Sequence, residues 1–152
     1  MPELTFRLAI RADLPDLIAM LADDQLGPTR EHAETPLQPA YERAFATIAA
    51  DPNNELLVAC LDEAVVGVLQ LTFIPYLTHM GAWRALIEGV RVARKQRSAG
   101  IGTKLMEWAI RRAREHGCAV AQLTTNKSRA NAKRFYEALG FVASHEGMKL
   151  IL

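Results

Sequence analysis

One glycine-rich turn constrains everything around it. Arg97-Ser98-Ala99-Gly100-Ile101-Gly102 lies between an apolar segment, Leu86-Ile87-Glu88-Gly89-Val90-Arg91-Val92, and a stretch from Thr103 to His116 with the length and apolar spacing of a helix. Branched apolar residues bounded by turn formers predict a strand for the first segment. A strand that runs through glycines into a helix N-terminus makes an anion site. The glycines admit close approach of the backbone, while unpaired N–H groups and the helix dipole point at the ligand. The turn is not a Walker A loop, which needs Gly, four residues, then Gly-Lys-Ser/Thr, and it lacks the third glycine of a dinucleotide fingerprint. Taken alone, six such residues fit a structural loop as well as a phosphate site.

Charge distribution weighs toward the phosphate. The net charge is +1, but residues 1–83 carry −8, residues 84–114 carry +7 and residues 115–152 carry +2. Arg91, Arg94, Lys95, Arg97 and Lys104 surround the glycine turn. Any one of them reads as a solvated surface charge, and Arg111, Arg112 and Arg114 as snorkelling helix residues. As a block centred on the turn, they predict a polyanionic ligand.

The 152 residues suffice for one domain, expected over 1–152, with a substantial core. No apolar run approaches the ~20 residues of a membrane span. The opening Met-Pro-Glu-Leu has no signal-peptide core. Cys60 and Cys118 lie far apart in apolar runs, as thiols kept reduced in the cytoplasm do. The four histidines have no ligand spacing, so no metal is expected.

The patterning predicts a strand at Leu4–Ile10, then a helix started by Asp13 and Pro15 with Leu14, Leu17, Ile18 and Leu21 on one face. Residues 22–36 read as a loop or broken helix, and Pro39–Ala50 as a second helix. Leu56–Leu61 and Ala64–Phe73 form a hairpin turned at Asp62-Glu63, followed by a loop over Ile74–Trp83. After the long helix come a strand at Cys118–Thr125, a helix at Ala130–Leu139 and a final pair of short strands within Phe141–Leu152. A central hairpin followed by βα alternation is a mixed α/β sheet.

In the C-terminal part, Ala132, Phe135 and Leu139 make the buried stripe of an amphipathic helix, Gly140 ends it, and Phe141 opens a strand. Tyr136 is left over by that reading. A lone helix tyrosine is usually a packing residue with its hydroxyl in water; the pattern it belongs to gives this one more weight.

Glu88-x-Val90-x-Val92, Arg97-x-x-Gly100-x-Gly102 and Phe135-Tyr136-x-x-Leu139-Gly140-Phe141, in that order, resemble the GNAT superfamily of acetyl-CoA-dependent N-acetyltransferases. Ile10-Arg11-Ala12-Asp13-Leu14 resembles the family's first strand-to-helix junction, so the likeness spans nearly the whole chain. It implies a mostly antiparallel central sheet flanked by helices. The implied activity moves acetyl from acetyl-CoA to a primary amine of a small molecule or peptide, by direct attack in a ternary complex. The backbone of Arg97, Ser98, Ala99, Gly100, Ile101, Gly102 and Thr103 would hold the coenzyme pyrophosphate. A main-chain N–H within Val90, Arg91 and Val92, with Val92 as first choice, would receive the oxyanion.

A protonated alkyl amine with a pKa near 10.4 must lose a proton before it attacks, and Glu88 stands where many members place an acid. A salt-bridged strand carboxylate is the equal alternative. Tyr136 matches the position that points at the coenzyme sulfur and would protonate the leaving thiolate. Many members carry an asparagine seven residues before that tyrosine. Here the position is Arg129, and Asn126 lies ten before, so Arg129 reaching phosphates or Asn126 supplying an amide contact are both open. The resemblance also implies a homodimer. The acidic N-terminal part suits a cationic acceptor. A silent coenzyme A-binding sensor of the same fold is the alternative. A nucleic-acid binder is disfavoured, because the arginines interleave with core positions and no binding module appears.

Overall fold

The computed structural model describes residues 1–24 and 26–152. Gln25, inside the segment expected to be a loop or broken helix, lies outside them. Strands β1 (Leu4–Leu8), β2 (Asn54–Leu61), β3 (Ala64–Pro75), β4 (Trp83–Val92) and β5 (Cys118–Gln122) form one sheet in the order β1-β2-β3-β4-β5. The first four are antiparallel to their neighbours and β5 is parallel to β4. Helices α1 (Leu14–Ala22), α2 (Pro39–Ala50), α4 (Ile101–Glu115) and α5 (Ala130–Ala138) surround it. A four-residue turn, α3 (Thr78–Gly81), holds His79 and Met80 in left-handed conformation. This is the mixed α/β sheet that the sequence predicts.

β2 explains the two-layered core. Leu57, Val58, Ala59 and Cys60 are all buried, as in a strand covered on both faces. Leu57 and Ala59 join Leu69, Leu71, Phe73, Ala85 and Ile87 beneath Ile101, Leu105, Met106 and Ala109 of α4. Val58 and Cys60 pack with Val68 against Leu14, Leu17 and Met20 of α1. Met20 is therefore buried on α1, whereas Leu21, expected on the apolar face, is half-buried. The Arg7 guanidinium closes this layer by donating to both oxygens of Asp13, at 2.7 and 3.0 Å. Asp13 also accepts the Ile10 amide, which accounts for a carboxylate only 6% exposed.

Two expectations need correction. The segment 74–83 is not all loop, since β3 continues to Pro75 and β4 begins at Trp83, leaving a short turn between them. No strands form within Phe141–Leu152. That segment is irregular, with a bend at His145, and is exposed from Val142 onward, and its backbone joins no ladder. A strand is defined by a partner, and apolar alternation alone does not supply one.

Leu105 is completely buried under α4 at the centre of the larger core. Leu105→Ala should cost about 3 kcal/mol, read as a lower urea midpoint with unchanged slope.

Candidate functional site

The sheet opens where β4 and β5 part. Their pairing runs from Trp83 opposite Cys118 to Leu86 opposite Gln122, where β5 ends. Ile87 to Val92 continue as β4 with no β5 residue beside them. Within that free stretch the strand also bulges. Between the pairs Gln70–Glu88 and Val68–Arg91, β3 advances two residues and β4 three. Gly89 takes the extra place with φ +64°, a conformation other residues adopt at a cost. The bulge leaves Glu88 and Arg91 on the α1 side of the sheet and Val90 and Val92 on the α4 side.

At the same end of the sheet, the glycine turn delivers the chain into α4. Ser98 (φ +67°) and Gly100 (φ +80°) are both left-handed, and Gly100 is the N-cap of α4. No side chain caps that helix, so the first amides of α4 keep free N–H groups. Ile101 is buried and anchors the first turn. Gly102 packs so closely that a Cβ there would meet Phe135 of α5 at 3.4 Å and Val92 of β4 at 3.6 Å. The loop thus presents donors and a positive helix end beside the gap, held in place by contacts to β4 and α5. These are the properties an anionic group needs.

The guanidinium side chains are placed differently from the sequence-based reading. Arg97 donates through Nε to the Val92 carbonyl at 3.1 Å and through a terminal nitrogen to the Asp23 carbonyl at 3.0 Å. Arg94 pairs with the Asp23 carboxylate. Arg91 and Arg129 converge on Asp24, at 2.5 and 2.9 Å, with Asp24 only 8% exposed. Two acidic residues at the end of α1 therefore bind four arginines from β4, the glycine turn and the start of α5. Of the five cations around the turn, Arg94, Lys95, Arg97 and Lys104 are exposed, Arg94 and Arg97 while paired with Asp23, and Arg91 is half-buried against Asp24. Asp23 and Asp24 were legible only as part of a polar loop, because their partners lie dozens of residues away.

Part of the acidity of the N-terminal part is engaged in the same way. Asp13, Asp23, Asp24, Glu42 and Glu55 each pair with an arginine. Burial alone would raise the Asp24 carboxyl, but the Leu26 amide and the Arg129 and Arg91 guanidiniums outweigh it and hold it below the usual range. Burial lowers Arg91 from its ordinary value, and its Nε is a buried donor with no partner among the described residues.

Tyr136 lies beside this cluster. Phe135 and Phe141 flank its ring at 5.2 and 6.1 Å between centroids, the latter edge-on. Burial raises its hydroxyl above the ordinary phenol value, against the opposing pull of Arg91 and Arg129. Glu88 is exposed on β4 and, among the described residues, forms no ion pair. Asn126 spends its side-chain oxygen on the Ser128 amide and hydroxyl, at 2.9 and 2.7 Å, shaping the turn into α5. Asn126 and Arg129 thus each have structural partners. Among the described residues, no group of three or more His, Cys, Asp or Glu could hold a metal.

The model of the acetyltransferase (GNAT) family matches residues 18–141. An aminoalkylphosphonate N-acetyltransferase of Salmonella typhimurium is 34% identical over 106 residues, covering 70% of this chain and 68% of the relative. Among solved structures, a transcriptional regulator from Bacillus halodurans is 55% identical, with a TM-score of 0.96 over 99% of this chain and 100% of that one. A Trypanosoma brucei acetyltransferase is 26% identical, with a TM-score of 0.78 over 99% and 100%.

The Asp24 cluster generates a test of acid stability. A carboxyl lowered on folding contributes its full stabilisation above its unfolded pKa, near 3.9, and loses it as pH falls through the folded value. Asp24→Asn should cost about 2 kcal/mol near pH 7 by leaving two guanidiniums without their counter-ion. The deficit should shrink below about pH 4 when denaturation is followed against pH.

Proposed function

This chain belongs to the GNAT acetyltransferase family and is an acetyl-CoA-dependent N-acetyltransferase, and we propose that its reaction takes place in the gap between β4 and β5. The observation that carries this reading is the coincidence of three features there: unpaired β4 backbone, the uncapped start of α4, and the buried Tyr136 hydroxyl. The gap is where the two faces of the sheet communicate, so an amine from the α1 side could meet a thioester held on the α4 side.

In that reading the amides from Arg97 to Thr103 hold the pyrophosphate of acetyl-CoA. Val90 to Val92 offer backbone to the acyl arm, with an N–H of this stretch, Val92 foremost, facing the developing oxyanion. Glu88 takes a proton from the incoming ammonium, directly or through water. The amine nitrogen bonds to the acetyl carbon, the carbon–sulfur bond breaks, Tyr136 gives its proton to the leaving thiolate, and the surplus proton on the new amide nitrogen restores the tyrosine through water. A hydroxyl raised by burial stays protonated at neutral pH and is able to donate. Arg129 and Asn126 support the site through Asp24 and the α5 turn. Residues 1–152 act as one catalytic domain, in the cytoplasm, as a homodimer.

For the acceptor, we favour a small primary amine that carries an acidic group. Five of the twelve carboxylates of residues 1–83 pair with arginines, which reduces the negative surface open to a polycation. Beside Tyr136, two guanidiniums share one carboxylate and Arg91 keeps an unpartnered Nε. The Salmonella relative, named for aminoalkylphosphonates, supports the same acceptor class.

Tyr136→Phe should lower turnover ~10²-fold or more while leaving acetyl-CoA binding, measured by calorimetry, nearly intact. Unchanged turnover would remove the hydroxyl from the mechanism. In a thiol-release assay, aminomethylphosphonate should exceed spermidine in kcat/KM by about tenfold, roughly the worth of one charge-assisted contact. The reverse order would restore the cationic acceptor.

A further inference from the structure

One arginine near the gap has no carboxylate. Arg84 precedes Leu86 and Glu88 on β4, and the alternation of a strand puts all three on the α1 side of the sheet. Its guanidinium stacks on the Tyr76 ring, 4.3 Å from the centroid, and one terminal nitrogen donates to Gln122 Oε1 at 3.4 Å. Among the described residues Arg84 forms no ion pair, whereas Arg91 and Arg129 are both committed to Asp24. Its neighbours across β3 and β5 on this face, Thr72, Ile74, Val120 and Gln122, are uncharged. Along β4 itself, the first carboxylate beyond Arg84 is Glu88.

A guanidinium carries its five N–H donors in its own plane. Stacking on Tyr76 uses the flat face and leaves that donor edge free. The one hydrogen bond to Gln122 is long and ends on a neutral amide. A half-buried cation held in this way is aimed but not neutralised, and a bidentate oxyanion completes it. Its holders are themselves fixed. The Tyr76 amide donates to the Ala82 carbonyl at 3.3 Å, closing the turn between β3 and β4, and Gln122 is the last residue of β5. The place is also open to a ligand. α1 packs over Val58, Cys60 and Val68, and beyond that cover Glu88 is exposed and Val120 is 49% exposed.

We propose that Arg84 is the seat for the acidic group of the acceptor, with Tyr76 and Gln122 as the residues that position it. This rests on the acceptor class given above and names the side chain that reads it. Gln122 lies opposite Leu86, where the β4–β5 ladder ends, so a guanidinium that reaches Gln122 stands at the mouth of the gap. Glu88 follows Leu86 by about 7 Å of strand. An amine at Glu88 and an oxyanion at Arg84 therefore occupy the two ends of a short alkyl chain. The ligand is a carboxylate or phosphonate joined to a primary amine by a few methylenes. A neutral alkylamine reaches the same amine position but leaves the guanidinium unpaired.

In a thiol-release assay at saturating acetyl-CoA, the wild type should prefer 3-aminopropylphosphonate and 4-aminobutyrate to butylamine, and the larger preference identifies the head that the seat fits. Arg84→Gln should cut the ratio of kcat/KM for the favoured acid over that for butylamine about thirtyfold, with the loss in KM. Arg84→Lys keeps the charge without the fork and should cut it about fivefold. Arg84→Glu should reverse the preference, taking 1,4-diaminobutane ahead of either acid. All three should keep the circular dichroism of the wild type. A structural role for Arg84 would lower every amine alike and leave the ratio unchanged. A wild type with no preference for acidic amines would overturn the acceptor class and this seat together. A preference that survives intact in Arg84→Gln would overturn the seat alone and move the acid to the Asp24 cluster.

Discussion

The parting of β4 from β5 is the constraint on which the rest depends. A continuous sheet is closed to ligands: its backbone groups are spent on neighbours and its two faces are sealed from each other. Here the parallel ladder stops at Leu86 and Gln122 while β4 runs on to Val92. Six residues of strand thus reach an opening with one side unpaired. The bulge at Gly89 then resets the alternation so that Val90 and Val92 pack toward α4 while Arg91 reaches Asp24 across the α1 face. Were Gly89 an ordinary strand position, the side chains beyond Glu88 would exchange faces. Arg91 would then point into the larger core, and its charge would have no partner.

An opening in a sheet costs packing and hydrogen bonds, so something must hold it. The end of α1 does so. Asp23 and Asp24 bind Arg91 on β4, Arg94 and Arg97 at the glycine turn and Arg129 at the start of α5. Three segments that meet around the gap are therefore tied to one helix end. The pairs on Asp24 are well shielded, so removing the carboxylate leaves charge behind and not merely a lost contact. Close packing does the remaining work, with Gly102 against Phe135 and Val92 admitting α4 and α5 to the same corner.

How much of this was legible follows from the range of each interaction. The glycine turn, the start of α4 and the bounds of α2 are local events, governed by φ preferences and apolar spacing, and the sequence placed them nearly to the residue. The family motifs likewise pointed to Glu88, Tyr136 and the loop, and the fold brings Tyr136 beside the Asp24 cluster while Glu88 stands exposed on β4. Pairing between distant charges was not legible. A net charge of −8 over residues 1–83 says nothing about which carboxylates meet which arginines, and in the fold Asp24 and Arg129 are 105 residues apart. The basic block looked like an open anion surface for the same reason. The tail was misread differently: its apolar alternation resembles a strand, but it joins no ladder in the sheet.

Tyr136 shows why the site belongs at this corner. A phenol in water has a pKa near 10 and is a weak donor to a thiolate whose conjugate acid lies near 8.5. Burial raises the hydroxyl further and makes it a still poorer acid at rest, and the two guanidiniums that pull the other way offset this only in part. The balance keeps the proton on oxygen before reaction. In the proposed reaction, Arg91 and Arg129 would temper the negative charge left on the tyrosine. Their own pairing with Asp24 prevents them from collapsing onto that oxygen at rest. One shared carboxylate for two arginines leaves the cluster net positive but immobilised. That is the condition under which a fixed charge can favour a transient anion without reorganising to meet it.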